Sequence, residues 1–309
     1  MPIIRGMTRI RRDTLPAAIF AFAGILVAAA GALAQTAQSG GTRGFLWKVE
    51  SATGSAPLYL AGSVHALNKD VYPLSQTFER AFESSGTLVE EIDLAEAASL
   101  SGGVAMLAKG LYTDGRTFGG VVSKGTFELV AARLKIMGVP VETISPMKPW
   151  MVAMMLMAAD IQKAGLDPSL GLDEYFFEKA IAAGKPVKGL ETIDYQVDRF
   201  DKMPVALQEQ LLRSTLDDLR GQQELKDVID AWRRGDAASL ERLLLASFKD
   251  SPEAYASLLV ERNRNWLGHI DTCLAQRSPC FMVVGAAHLV GPDGLITLLR
   301  RKGYRVEQQ

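Results

Sequence analysis

The chain has 309 residues, 48% of them apolar and 22% charged, with a formal net charge of −1. That length holds one large domain or two small ones. The near-neutral charge shows neither the basic excess of a nucleic-acid binder nor an acidic tail, and only 7% of residues are aromatic, which offers no stacking platform for carbohydrate.

The N-terminus stands apart. MPIIRGMTRIRRDT is cationic through Arg5, Arg9, Arg11 and Arg12 and runs into LPAAIFAFAGILVAAAGALA, then QTAQSGG. This is the pattern of a secretory signal peptide over residues 1–34, with Ala32, Leu33 and Ala34 before a cut at Gln35. An uncleaved anchor competes, because the apolar stretch approaches spanning length. Its Ala/Gly richness favours cleavage. The protein is therefore expected to be periplasmic or secreted and to keep no stable membrane span. Residues 35–43 read as a flexible leader and 44–309 as a single domain.

FLWKVES and APLYLAGS read as paired strands about the turn SATGSA. PLSQTFERAFESS reads as a helix and GTLVEEIDL as a short buried strand with an acidic end. LAEAASLSGGVAMLAKGLYTDGRTFGG suggests broken helices around a turn. From about residue 123 helical apolar spacing dominates: KGTFELVAARLKIMG, PWMVAMMLMAADIQKAG, DEYFFEKAIAAG, ALQEQLLRSTLDDLRGQQELKDVIDAWRRG and AASLERLLLASF, then PEAYASLLVERNRNWLGHIDTCLAQ. KPVKGLET is a short strand among them, FMVVGAAH a further apolar strand, and GLITLLRRKG and YRVEQ a closing helix and strand. Strands at both ends and in the middle, separated by helices, predict an α/β class with a large helical insertion over roughly 123–260. The methionines Met151, Met154, Met155 and Met157 are read as core filling. Cys273 and Cys280, the only cysteines, are expected to pair in an oxidising compartment and to pin the entrance to FMVVGAAH.

Four predicted strands end in groups that can do chemistry. LYLAGSVH ends in His65, TLVEEID in Glu90, Glu91 and Asp93, PVKGLET in Glu191, and FMVVGAAH in His288. If these strands run parallel, the groups converge on one rim, where open α/β sheets carry their sites. Gly62 and Gly285, each three residues before a histidine, are expected to turn the backbone sharply and leave room beside the ring. Two imidazoles with one or two carboxylates suit a divalent transition metal, Mn, Co, Zn or Fe, and a spare carboxylate suits a general base. The bland alternative is a pair of hydrogen-bonded core histidines with solvated glutamates. His269 lies within a helix, without glycine spacing, and reads as a surface or groove residue.

The ordered set LYLAGSVHALNKDVYPL, VEEIDL, GLDEYFFEKAIAAGKPVKGLET, ERNRNW and VVGAAHLVGPDGLITLLRRKGY resembles the TraB/GumN family, whose members include the Tiki metalloproteases. The resemblance implies an erythromycin-esterase-like or ChaN-like fold, a mixed core sheet of two related halves that each contribute one Gly-x-x-His. It places metal ligands at His65, Glu91 and His288, with Glu90 an open alternative to Glu91. Glu191 is implied as a further ligand or base, Arg262 as an orienting or oxyanion-stabilising cation, and Asn263 and Asp173 as recurrent polar positions. Arg262 has an equally plain structural role as an ion-pair partner of those glutamates. The implied function is an exported metal-dependent hydrolase acting on peptide bonds, with a peptide or protein as substrate. A periplasmic haem- or iron-binding protein, or one that sequesters a peptide without catalysis, is the alternative.

Overall fold

The computed structural model describes residues 44–52, 56–216 and 218–309. The signal-peptide and leader readings, 1–34 and 35–43, lie outside the described residues. Six strands form one sheet: β1 (Leu46–Glu50), β2 (Leu58–Ser63), β3 (Thr87–Glu90), β4 (Val187–Gly189), β5 (Cys280–Gly285) and β6 (Arg305–Gln308). Their order is β4-β3-β5-β2-β1-β6. β2, β5, β3 and β4 are mutually parallel, each to its neighbour. β1 folds back antiparallel on β2, and β6 closes that edge antiparallel to β1. The class is thus α/β with a mixed sheet, as the strand and helix pattern predicts.

β5 has a physical reason to sit in the middle. CFMVVG is apolar throughout and every residue in it is buried, the signature of a parallel strand covered on both faces. β2 lies beside it with Gly62 opposite Val284 and Ser63 opposite Gly285, so the two Gly-x-x-His stretches leave the sheet side by side. β3 flanks β5 on its other side, and the ladder of β4 runs on past Gly189. There the amides of Leu190 and Glu191 donate to the carbonyls of Glu90 and Glu91, which sets the two glutamate-bearing turns next to each other.

The helices depart from the expected pattern in three places. The long run after Pro204 divides into Val205–Ser214 and Asp218–Arg233. The helix expected from Pro252 is interrupted by a π turn over Ala256–Val260 before Glu261–Leu274 resumes. A helix over Ile193–Asp201, with the Thr192 side chain accepting from the Tyr195 amide at its start, was not among the expected elements. The segment after β3 does break as expected, into Leu94–Ala97, Leu100–Gly110 and Phe118–Val121.

The main core joins both faces of the sheet to the surrounding helices, and Met151, Met154 and Met157 fill it. A second, smaller core of Phe118, Val130, Leu134, Ile144, Val152 and Leu156 lies entirely within the helical part. Among the described residues, no helix is long and apolar enough to cross a membrane.

Cys273 and Cys280 form a disulfide with their Cα atoms 5.9 Å apart. It ties the end of the helix Glu261–Leu274 to the first residue of β5, so one covalent link joins the elements that carry Arg262 and His288. Replacing both cysteines with serine is expected to lower unfolding free energy by about 2–3 kcal/mol, the scale for closing a short loop. Urea melts of the oxidised parent and the double variant read this directly, and equal midpoints would mean that packing alone holds the junction.

Candidate active site

The carboxyl ends of the four parallel strands meet, and at their centre lies a guanidinium. Arg262, fully buried on the helix Glu261–Leu274, donates from Nε to Glu191 Oε1 at 2.8 Å and from Nη2 to the same oxygen at 2.5 Å. Nη2 also donates to Glu91 Oε2 at 2.5 Å. Nη1 reaches the carbonyl of Leu258, in the π turn, at 3.2 Å and His288 Nε2 at 3.0 Å. All arms of the fork are therefore used within the protein, which is the geometry a planar guanidinium suits and an ammonium does not.

Both glutamates are tied down further. Glu91 Oε1 accepts the Gly285 amide at 2.7 Å. Gln196 donates from one nitrogen to Glu91 Oε2 at 3.1 Å and Glu191 Oε1 at 2.9 Å. Trp266 Nε1 donates to Glu191 Oε2 at 3.1 Å, and the same ring lies 4.4 Å from the His288 ring and 4.9 Å from the Arg262 guanidinium carbon.

The tautomer of His288 follows from its neighbours. Asn263 donates through Nδ2 to the carbonyls of His288 and Asp293, so its Oδ1 must be the atom 2.7 Å from His288 Nδ1. Nδ1 therefore carries the proton, and Nε2 offers the lone pair that Arg262 Nη1 meets. His65 is held the same way on its own side: Nδ1 lies 2.9 Å from Asp173 Oδ1, and the Ser63 hydroxyl donates to that carboxylate oxygen. Asp173 is brought there because the start of the helix Leu172–Ala182 docks on the turn after β2, with Leu172 donating to the Val64 carbonyl. Gly171 allows this approach, since a Cβ on it would meet the His65 carbonyl oxygen at 2.5 Å.

Gly285 marks the centre of the arrangement. A methyl group built on it would stand 3.1 Å from His65 Nε2, 3.2 Å from Glu91 Oε1 and 3.6 Å from the His288 ring. The space kept open by the missing side chain is the space where these three residues converge. The chain leaves β5 at Gly285 into the short 3-10 turn Ala286–His288, and it does so with no positive φ at either Gly62 or Gly285. Gly62 is needed because a Cβ would collide with the Phe45 ring, and Gly285 because one would fill the cradle.

The donors suit a transition metal in chemistry. Two imidazoles each have Nδ1 anchored by a neighbour and Nε2 turned inward, the arrangement that fixes a histidine ligand. A carboxylate oxygen stands 3.8 Å from His288 Nε2. The buried set carries two carboxylates against one guanidinium, so a further cation would balance it. As positioned, with Arg262 on the His288 lone pair, no three His, Cys, Asp or Glu side chains among the described residues already stand as a metal-holding group.

Electrostatics sort the titratable groups. For Glu91 burial works upward, but Arg262, the two histidines and the Gly285 amide outweigh it and hold the carboxyl far below its usual range. Burial and then Arg262 push His288 down to about 3, keeping it neutral. For His65 burial works downward, yet the charge and hydrogen bond of Asp173, with Glu91 behind, raise it overall. Glu90 points away from this network. It is 2% exposed, and burial followed by repulsion from Asp173, Glu174, Asp93 and Glu91 pushes its carboxyl well up.

The structure thus brings His65, Glu91, His288, Glu191 and Arg262 together, while Glu90 takes no part in their hydrogen bonds although it lines the same recess as His65 and Glu91. His269 is exposed on its helix. Gln196 and Trp266 were missed as site residues: Gln196 lies on the helix that went unrecognised, and Trp266 reads from sequence as an ordinary core aromatic. Ser63 joins the site through a bond to Asp173 that spans 110 positions in the chain.

Two outcomes follow for the metal-free protein. Arg262→Met leaves Glu91 and Glu191 buried without their cation and is expected to cost about 3–5 kcal/mol of stability, read in urea melts; a loss below about 1 kcal/mol would place the pair in the range of a solvated ion pair. The unfolded chain protonates His288 near 6.5, whereas the folded one does so only near 3, so stability falls as pH drops through that window. Glu91, also lowered, adds to the loss below its ordinary 4.5. His65 works oppositely: its contribution is complete below 6.5 and fades as pH rises through its raised folded value. Glu90, raised well above its ordinary 4.5, opposes this loss in the same window. Between pH 6.5 and 4 the urea midpoint of chelator-treated protein should therefore fall relative to that of His288→Gln, and parallel pH profiles of the two would mean that His288 is not a neutral buried imidazole.

The profile of the TraB/PrgY/gumN family matches residues 45–308. The uncharacterized protein YbaP of Escherichia coli (strain K12) is 24% identical over 254 residues, covering 80% of this chain and 89% of that protein. The metalloprotease TIKI2 of Danio rerio is 22% identical over 326 residues, covering 85% of this chain and 60% of TIKI2. No solved structure matches. With nearly all of its described length matched, the chain belongs to the TraB/PrgY/gumN family.

Proposed function

We propose that this protein is an exported metal-dependent hydrolase acting on peptide bonds. The observation that carries the proposal is the cradle at Gly285, around which His65 Nε2, Glu91 Oε1 and the His288 ring converge. Likeness to the metalloprotease TIKI2 supports the reaction class, and the N-terminal sequence supports export.

His65, Glu91 and His288 would hold the ion, a divalent transition metal such as Mn, Co, Zn or Fe. It would supply a Lewis acid for a carbonyl and lower the pKa of a water. The chain's own residues do the rest. Asp173 and Asn263 hold the two rings in the tautomers that turn Nε2 inward. Arg262, Gln196 and the Gly285 amide fix the orientation of Glu91. Glu191, with both oxygens engaged by Arg262, Gln196 and Trp266, serves here as the second anchor of the guanidinium. Acting as a base would require it to give up one of those bonds. With Nε2 given to the ion, His65 has no lone pair left for a proton, and its bond to Asp173 serves to hold the ring in place.

The haem reading has less support. His288 has no exposed surface, and the recess beside His65 and Asp173 encloses about 330 Å³ including its open mouth, so a porphyrin would not reach both rings.

Elemental analysis of the purified protein after loading with Mn, Co or Zn should find close to one ion per chain, lost in His65→Ala and His288→Ala. Peptide-library cleavage should follow the metal. A wild type that takes up no ion and cuts no peptide, while folding as well as the variants, would overturn the proposal.

A further inference from the structure

Sharing His65 and Glu91 with the cradle, a small recess is lined also by Ser63, Glu90, Asp173 and Gln196. Its floor is unusual. Glu90 is 2% exposed, and neither of its carboxyl oxygens has a hydrogen-bond partner, the only carboxylate among the described residues with both buried oxygens unsatisfied. Leaving such a group without a donor costs on the order of 1–3 kcal/mol or more. Asp173 and Glu91 line the same recess, so a cation entering it meets acidic side chains besides Glu90.

We infer that this recess binds the free α-ammonium group of a peptide substrate, with Glu90 as its anchor. The inference rests on the hydrolase reading above and adds to it the part of the substrate recognised. A compact ammonium suits so small a recess better than the planar fork of a guanidinium. An ammonium brings three donors to a carboxylate that has none. Position then selects the amino terminus over a lysine side chain. His65 borders the recess and also turns Nε2 to the cradle. An α-nitrogen lies only about 2.5 Å from the carbonyl carbon of its own residue, so a cation held by Glu90 places the first peptide bond beside His65. The protein would then remove residues from free amino termini.

The test uses the whole protein and alanine amide as the probe, with N-acetyl-alanine amide as its control. Calorimetry should show the free amine binding at least about tenfold more tightly than the acetylated one, the effect of a hydrogen bond between charged groups. Glu90→Gln should erase that preference, and matched peptides should be cut from the free terminus only. Equal binding of both probes by the wild type, a comparison that does not depend on whether the variant folds, would overturn the inference. So would an unchanged preference in folded Glu90→Gln. Displacement of the amine by magnesium or manganese chloride, dependent on Glu90 but not on His288, would make the recess a metal site and also overturn it. The two readings fail separately: amine binding without cleavage of any peptide keeps the anchor and removes the hydrolase, whereas cleavage blind to acetylation does the reverse.

Discussion

A fully buried guanidinium shared by two carboxylates holds this site together. Arg262 carries Glu91 on one nitrogen, Glu191 on two and the lone pair of His288 on a third. Removing a charge of this kind from water costs several kcal/mol, recovered only if every donor finds a partner in good geometry. That condition explains much of the surroundings. Trp266 and the Gly285 amide satisfy the carboxylate oxygens the arginine does not reach, and Gln196 adds a donor to the two that it does. The Leu258 carbonyl, in the π turn, takes one of the guanidinium donors. Turns of this kind recur where a helix must aim a side chain at a site, and here the helix resumes at Glu261, one residue before Arg262.

The same network makes the two histidines unequal. His288 is fully buried, neutral and faced by a cation, while His65 leans on Asp173 and borders an open recess. The first is built to keep its place and the second to meet a substrate. The missing side chain at Gly285 matters for both, since it maintains the one volume that His65, Glu91 and His288 share. Glu90 and Glu91 illustrate the strand's alternation, which sends neighbouring residues to opposite faces. Identical side chains one position apart thus enter opposite environments, one saturated with donors and one with none.

Strand continuity and helix docking deliver these groups. Parallel pairing of β2, β5, β3 and β4 points four carboxyl ends the same way. The ladder that continues from β4 into the Glu191 turn sets the two glutamates side by side. The disulfide fastens the arginine-bearing helix to β5, and the docking of the helix Leu172–Ala182 on the turn after β2 carries Asp173 to His65.

What the sequence by itself determined is local. The apolar run of β5, the antiparallel pair β1–β2, the acidic end of β3 and the cysteine pair are written in period, composition and short spacing, and His65, Glu91, Glu191 and His288 stand out by residue type at the ends of such runs, whereas Arg262, inside a helix, is singled out only by the family resemblance. What only the tertiary structure decided is which of these groups touch, and with what. Arg262 and Glu91 are 171 positions apart and Ser63 and Asp173 are 110, and no periodicity carries information across such distances. Whether Glu90 or Glu91 faces the guanidinium depends on the phase of a four-residue strand against its neighbours, which pairing with β5 and β4 sets. The roles of Gly62 and Gly285 likewise needed the fold. From sequence a glycine signals backbone freedom, whereas here both are required by what lies against the missing Cβ, and that neighbour comes from elsewhere in the chain.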